Sequence, residues 1–195
     1  MAKTRENKTI SQFKSALVGG GARPNLFQVE LTTLPTGIDW DSDIFGYMCK
    51  AASLPAQTIA AIDVPFRGRI FKVAGDRTIE TWTVTIINDE SFALRNAFEQ
   101  WTQTIAKLDT NLGATDPSAY MTNAKVFQLG RGSSTSSQDS NGNENVVLKE
   151  YEFIDIFPTS VSSIDLSYDT GDTIEEFTVE FQVQSINLAG AALPN

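Results

Sequence analysis

Along most of the chain, apolar and polar residues alternate with period two, the spacing of a strand with one face buried. In residues 26–31, Phe27, Val29 and Leu31 share one side, and Gln28 and Glu30 the other. From Thr78 to Asn88, Trp82, Val84 and Ile86 oppose Thr81, Thr83 and Thr85. β-Branched residues on both sides predict a strand with neither face fully wet. The cleanest alternation runs from Glu175 to Ser185. It sets Phe177, Val179, Phe181 and Val183 against Glu176, Thr178, Glu180, Gln182 and Gln184. Further strands are predicted over Thr58–Val64, Tyr120–Leu129, Val146–Phe157 and Val161–Tyr168, with Pro65 and Pro158 as interruptions.

One segment keeps a different period. Leu94, Phe98, Trp101, Ile105 and Leu108 recur at steps of four and three, the stripe of an amphipathic helix over about 91–108. Asp89 or Ser91 is its expected N-cap, Lys107 suits its negative end, and Gly113 and Pro117 stop it. The predicted fold is mainly β: an antiparallel barrel or sandwich with one flanking helix. Residues 1–21, ending in Gly19-Gly20-Gly21, read as an arm with a hinge ahead of a single domain at 22–195. Gly130 to Asn145 is low in complexity and apolar content and reads as a mobile loop.

Composition narrows the chemistry. The chain has no histidine, which removes histidine bases, histidine-dependent triads and nearly all zinc or copper sites. The single cysteine, Cys49, lies among apolar neighbours and is expected to be buried and inert. Asp39, Asp41 and Asp43 have the spacing of calcium-loop ligands. Ile44 stands where that loop needs glycine, however, and Lys50 where it needs glutamate, so the triplet is read as a solvated turn. The carboxylate pairs Asp63/Asp76 and Glu175/Glu176 sit in strand-like segments and read as solvation rather than acid–base machinery. No enzyme activity, cofactor or metal is expected. A net charge of −9 does not favour binding to phosphates through the general field. No apolar leader or bilayer-length run is present, so the expectation is synthesis in the cytoplasm without membrane insertion.

The stretch from Ile62 to Asn88 is the most distinctive. It reads as two strands joined by a loop, residues 65–77, dense in arginine, glycine and apolar residues, with Phe66, Arg67, Arg69, Phe71, Asp76 and Arg77 as its candidate contact residues. On the residues alone two readings stand. The arginines solubilise a long connection, or they pair with carboxylates of a neighbouring subunit while Phe66 and Phe71 anchor in its pockets.

ARPNLFQVEL, VPFRGRIFKVAGDR with ETWTVTIIND, the helix ending FEQW, and FPTSVSSIDLSYDTGDTIEEFTVEFQV occur in that order and cover most of residues 22–188. Together they resemble the tail-tube family of contractile-tailed bacteriophages. That family is related to haemolysin-coregulated-protein-type tubes of secretion systems and to extracellular injection particles. The resemblance implies a small β-barrel or sandwich assembled into hexameric rings, stacked as a tube inside a contractile sheath that conducts DNA. It implies as partners the sheath, baseplate and tail-terminator proteins, with tape-measure protein and viral DNA passing through unbound. The location it implies is the virion, and the inter-subunit role of loop 65–77 follows. The alternatives are an injection or secretion tube carrying protein, and a monomeric binding module. Given the charge, one polar strand face is expected to line the bore, with Glu176, Glu180, Gln182 and Gln184 as candidates. The competing placement is against outer solvent or the sheath.

Overall fold

Burial follows the alternation closely. In a computed structural model, which describes residues 8–17, 21–110, 112–130, 147–169 and 171–187, the order of elements is as follows. Helix α1 (Ile10–Ala16) precedes β1 (Phe27–Leu31), α2 (Ser42–Met48), β2 (Cys49–Ala52), β3 (Gln57–Phe66), β4 (Arg69–Ile79) and β5 (Trp82–Ile87). Helix α3 (Ala93–Ile105), β6 (Thr122–Leu129), β7 (Val147–Val161), β8 (Glu176–Gln182) and β9 (Ser185–Asn187) complete it. One sheet runs β1-β6-β7-β8-β5-β2, with β9 beside β7, and β3 with β4 forms a separate two-stranded sheet. The larger sheet is an open path, so of the two expected architectures the structure takes the sandwich-like one and not the closed barrel. Its β2–β5, β5–β8 and β8–β7 ladders are antiparallel.

The chain divides into two compact units: Val29–Val126 with Tyr151–Asn195, and Met1–Gln28 with Phe127–Glu150. The larger unit holds an aromatic core. Trp82, Val84 and Ile86 of β5 and Phe177, Val179 and Phe181 of β8 are buried, and directly paired residues bring them together as Trp82–Phe181, Val84–Val179 and Ile86–Phe177. Helix α3 lays Leu94, Ala97, Phe98 and Trp101 on this face. The Phe98 ring stands 6.0 Å from Phe181 and 6.2 Å from Phe177, and Trp101 lies 5.8 Å from Phe181. Such tilted and edge-on ring pairs add attraction beyond the area they bury. The helix is shorter than the periodicity suggests. Leu108 lies beyond it and is exposed, and Lys107 is outside the last turn, where its N–H donates to the Leu112 carbonyl. The cap also differs. Phe92 takes the N-cap position with a left-handed backbone, while Ser91 Oγ accepts from Ala93 N at 3.3 Å and donates to Asp89.

Both prolines expected to break strands are carried inside them. β7 runs through Pro158 because the ladder shifts register between Pro158 and Ser160. Pro158 cannot donate, and a bulge is where a ladder tolerates that. After β7 the chain from Ser162 to Tyr168 is irregular rather than a strand. Asp41 does more than solvate a turn: its Oδ1 accepts from Asp43 N and Ile44 N, capping α2. In the smaller unit, residues 10–16 of the arm form α1, closed by a capping box between Thr9 and Gln12. The hinge glycines Gly19 and Gly20 and nearly all of the 130–145 segment lie outside the described residues.

Candidate assembly surfaces

Residues 65–77 are not a loop. β3 and β4 pair from Gln57↔Ile79 to Phe66↔Arg69, leaving a two-residue turn of Arg67 and Gly68. Both turn residues have positive φ, +45° and +80°, as a primed hairpin turn requires. The charge and length that suggested a loop belong instead to a hairpin projecting from the core, where solvent on both faces leaves no alternation of burial to read. At its base the register shifts between Ile59 and Ala61. Gly75 sits opposite, where a Cβ would come within 3.0 Å of the Ala60 carbonyl oxygen and Ile62 Cγ1. Glycine there permits the close backbone approach.

Every residue of β3 is exposed, and so is nearly all of β4. Directly paired residues share a face. Val64 with Phe71, Ile62 with Val73, and Phe66 beside Arg69 therefore form one apolar side ending in a cation. Phe66 and Phe71 are 66% and 67% exposed, values normal for surface lysines and not for phenylalanine. The Arg67 guanidinium carbon lies 5.3 Å from the centre of the Phe66 ring. The opposite side carries the Lys72–Asp63 ion pair at 2.8 Å. Of the residues singled out in the sequence, Phe66, Arg67, Arg69 and Phe71 meet at the tip. Asp76 and Arg77 lie near the base, roughly 25 Å away by strand rise. Ile62, Val64 and Val73 complete the exposed apolar side, Ile70 is exposed on the opposite side beside Pro65, and none of the four was singled out. The i, i+2 spacing of Ile62, Val64 and Phe66 around an Arg-Gly turn was the signal that could have found them.

The polar side of β8 forms the second surface. Thr83 pairs with Glu180 and Thr85 with Thr178, while Ser160 flanks Glu180 from β7. Glu180 is exposed, Gln182 half-buried, and Gln184 exposed just past the strand end. Glu176 differs from the other three, because Lys50 Nζ holds its Oε1 at 2.5 Å. The result is a hydroxyl- and amide-rich face on which Glu180 carries the unpaired carboxylate, with no cation in ion-pair range among the described residues.

The side chains offered as chemistry are otherwise engaged. Asp63 is ion-paired, and Glu175 accepts from Asn88 Nδ2 at 3.0 Å. Cys49 is buried, and desolvation, opposed only partly by its hydrogen bond to the Ala51 carbonyl, pushes its thiol up to about 12. Among the described residues no group of three or more metal-ligating side chains converges. No described helix is long and apolar enough to cross a membrane.

Comparison with known proteins identifies the family. The family model described as phage tail tube protein matches residues 22–187. Tail tube protein gp19 of Enterobacteria phage T4 is 36% identical over 161 residues, which are 83% of this chain and 88% of that protein. The tail tube protein of Serratia phage KSP90 is 23% identical over 178 residues, 89% of this chain and 93% of its own. Among solved structures, a chain of the anti-feeding prophage baseplate superposes with a TM-score of 0.61 at 14% identity, covering 89% of this chain and 98% of that one. A chain of the sheath-tube complex of an extracellular contractile injection system gives 0.56 at 14% identity, covering 93% and 98%. These two structures share the fold. With the family model spanning nearly the whole described chain, and the motifs at both ends of the core inside that span, this protein belongs to the phage tail tube protein family.

Proposed function

We propose that the protein is the structural, non-enzymatic subunit of the inner tail tube of a contractile phage tail, six copies to a ring and rings stacked into a conduit for DNA. The observation that carries this reading is the β3–β4 hairpin. A two-stranded sheet with an apolar side in water is marginal by itself, yet here it is long, regular and built out of aromatic and aliphatic residues. Seating that side on a neighbouring copy accounts for both its sequence and its exposure. Rings require a head-to-tail contact that closes, and tubes a second contact that does not. The hairpin, and the helix α1 with Ile10, Phe13 and Leu17 exposed, are the extensions available for the two.

In this reading the polar face of β8 with Glu180, Gln182 and Gln184 lines the bore, and sheath, baseplate and terminator proteins contact the outside and ends of the tube. Tape-measure protein and DNA pass through without specific binding. The protein is made in the host cytoplasm and resides in the virion. The phage relatives favour this over an injection particle carrying protein cargo, a machine that shares the fold. Negative-stain electron microscopy of the purified protein, alone and with baseplate-type initiators, is the test. Rings or hollow tubes are expected, and monomers at every concentration under both conditions would refute the proposal.

A further inference from the structure

The hairpin tip needs an acceptor, and the same chain carries a surface of complementary chemistry. Between the end of β7 and the start of β8, residues 164–168 and 173–176 border a groove of about 560 Å³. Asp165, Leu166, Tyr168, Ile174 and Glu175 are among the residues lining it. Leu166 and Ile174 are 80% and 71% exposed. Residues 164–176 contain five carboxylates (Asp165, Asp169, Asp172, Glu175 and Glu176) and no basic residue. The hairpin, residues 57–79, reverses that balance in a chain of net charge −9, with four basic side chains against two acidic. Lys72 is spent on Asp63, whereas Arg67 and Arg69 have no carboxylate in ion-pair range among the described residues, and neither has Asp165. One surface is therefore aromatic and basic, the other apolar and acidic, and each copy holds one of each.

Resting on the tube reading above, we infer that the hairpin tip of one copy docks in the 164–176 groove of the next. Phe66 and Phe71 would lie against Leu166, Tyr168 and Ile174, and Arg67 and Arg69 against Asp165 and its acidic neighbours. The planar guanidinium suits a carboxylate bidentately, and desolvation by the surrounding apolar side chains strengthens the pairing. Since donor and acceptor are different surfaces of one chain, the contact is head-to-tail and propagates from copy to copy. A partner of another kind would need its own acidic, apolar cleft, whereas a second copy supplies one at equal stoichiometry.

Thiol cross-linking tests this directly, because the buried Cys49 contributes little background. Full-length Phe66→Cys/Leu166→Cys, assembled and treated with a short bis-maleimide, is expected to give a ladder of covalent oligomers on a denaturing gel, while either single variant gives none. Charge exchange provides an independent arm. Arg69→Glu should raise the critical concentration for assembly at least about tenfold, and adding Asp165→Arg should recover most of that loss. Suppose tubes form but neither this cysteine pair nor Phe71→Cys/Ile174→Cys gives a ladder, and Asp165→Arg rescues nothing. The acceptor would then be elsewhere and the inference overturned, with the tube reading intact. A ladder from Phe66→Cys/Phe13→Cys in place of these would assign the tip to α1 of a neighbour and overturn it equally. Failure of the native chain to assemble under any condition would instead sink the tube reading itself.

Discussion

Arg67 holds a left-handed backbone, φ +45°, at the first position of the hairpin turn. Asparagine or glycine is favoured there, and a bulky residue costs on the order of 1 kcal/mol. Keeping arginine at that price is a reason to look for a use of its guanidinium outside the subunit. The substitution Arg67→Asn separates the two roles, since Asn-Gly is a preferred turn and the hairpin should persist. Circular dichroism and the melting temperature are expected to stay as in the native subunit, with tubes shortened or lost in micrographs. Normal tubes would return Arg67 to a solubilising role. Cys49 makes a prediction of the opposite kind, about the fold alone. Its folded pKa is raised from an ordinary 9.0 to about 12, so the folded state refuses a proton loss that the unfolded state allows. The stabilisation is complete below pH 9 and declines as pH rises toward 12, by at most about 1.4 kcal/mol per unit. Denaturant titrations at pH 8 and pH 10 should show a steeper loss in the native protein than in Cys49→Ala.

At the level of elements, the helix and the hairpin obey different rules. Helix α3 owes its place to Phe98 and Trp101, which meet Phe177 and Phe181 on the sheet. Phe98→Ala is expected to cost about 3–5 kcal/mol, because it removes a fully buried ring from an aromatic cluster that cannot collapse around the gap. The hairpin has no such debt to its own subunit. Replacing Ile62 and Val73 together with threonine should change stability by under about 1 kcal/mol while reducing self-association. Urea unfolding and sedimentation velocity on the same samples separate the two effects. A stability loss as large as that of Phe98→Ala would mean the hairpin belongs to the subunit core after all.

For the whole molecule, assembled as proposed, the governing quantity is charge on the bore. With the polar face of β8 turned to the bore, as proposed, the Lys50–Glu176 ion pair would leave Glu180 as the carboxylate of that face with most influence on a passing polyanion. At physiological salt its field reaches roughly 8 Å, so in that placement it would act as a short-range repellent on a face of Thr83, Thr85, Thr178, Gln182 and Gln184 rather than as a long-range barrier. Tubes built from Glu180→Lys are expected to retain DNA and to eject it more slowly, with the effect fading as salt is raised. The same substitution with intact tubes and unchanged ejection would place this face outside the channel.

Strand identity in the core was legible because a half-buried strand writes its burial into the sequence with period two. Phe177, Val179 and Phe181, and Trp82, Val84 and Ile86, are the inward sides of β8 and β5 as the alternation reads. The 3.6-residue stripe likewise located α3, and the motifs of residues 22–188 were enough to identify the family. Tertiary structure decided what local patterning does not encode. Pro158 stays within a strand because a register shift absorbs its missing donor, and Phe92, not Asp89 or Ser91, occupies the cap of α3. Residues 65–77 became paired strands around Arg67-Gly68. A hairpin wet on both sides has no burial alternation, and only its ladder, a relation between residues distant in sequence, gives it a side to present to another molecule.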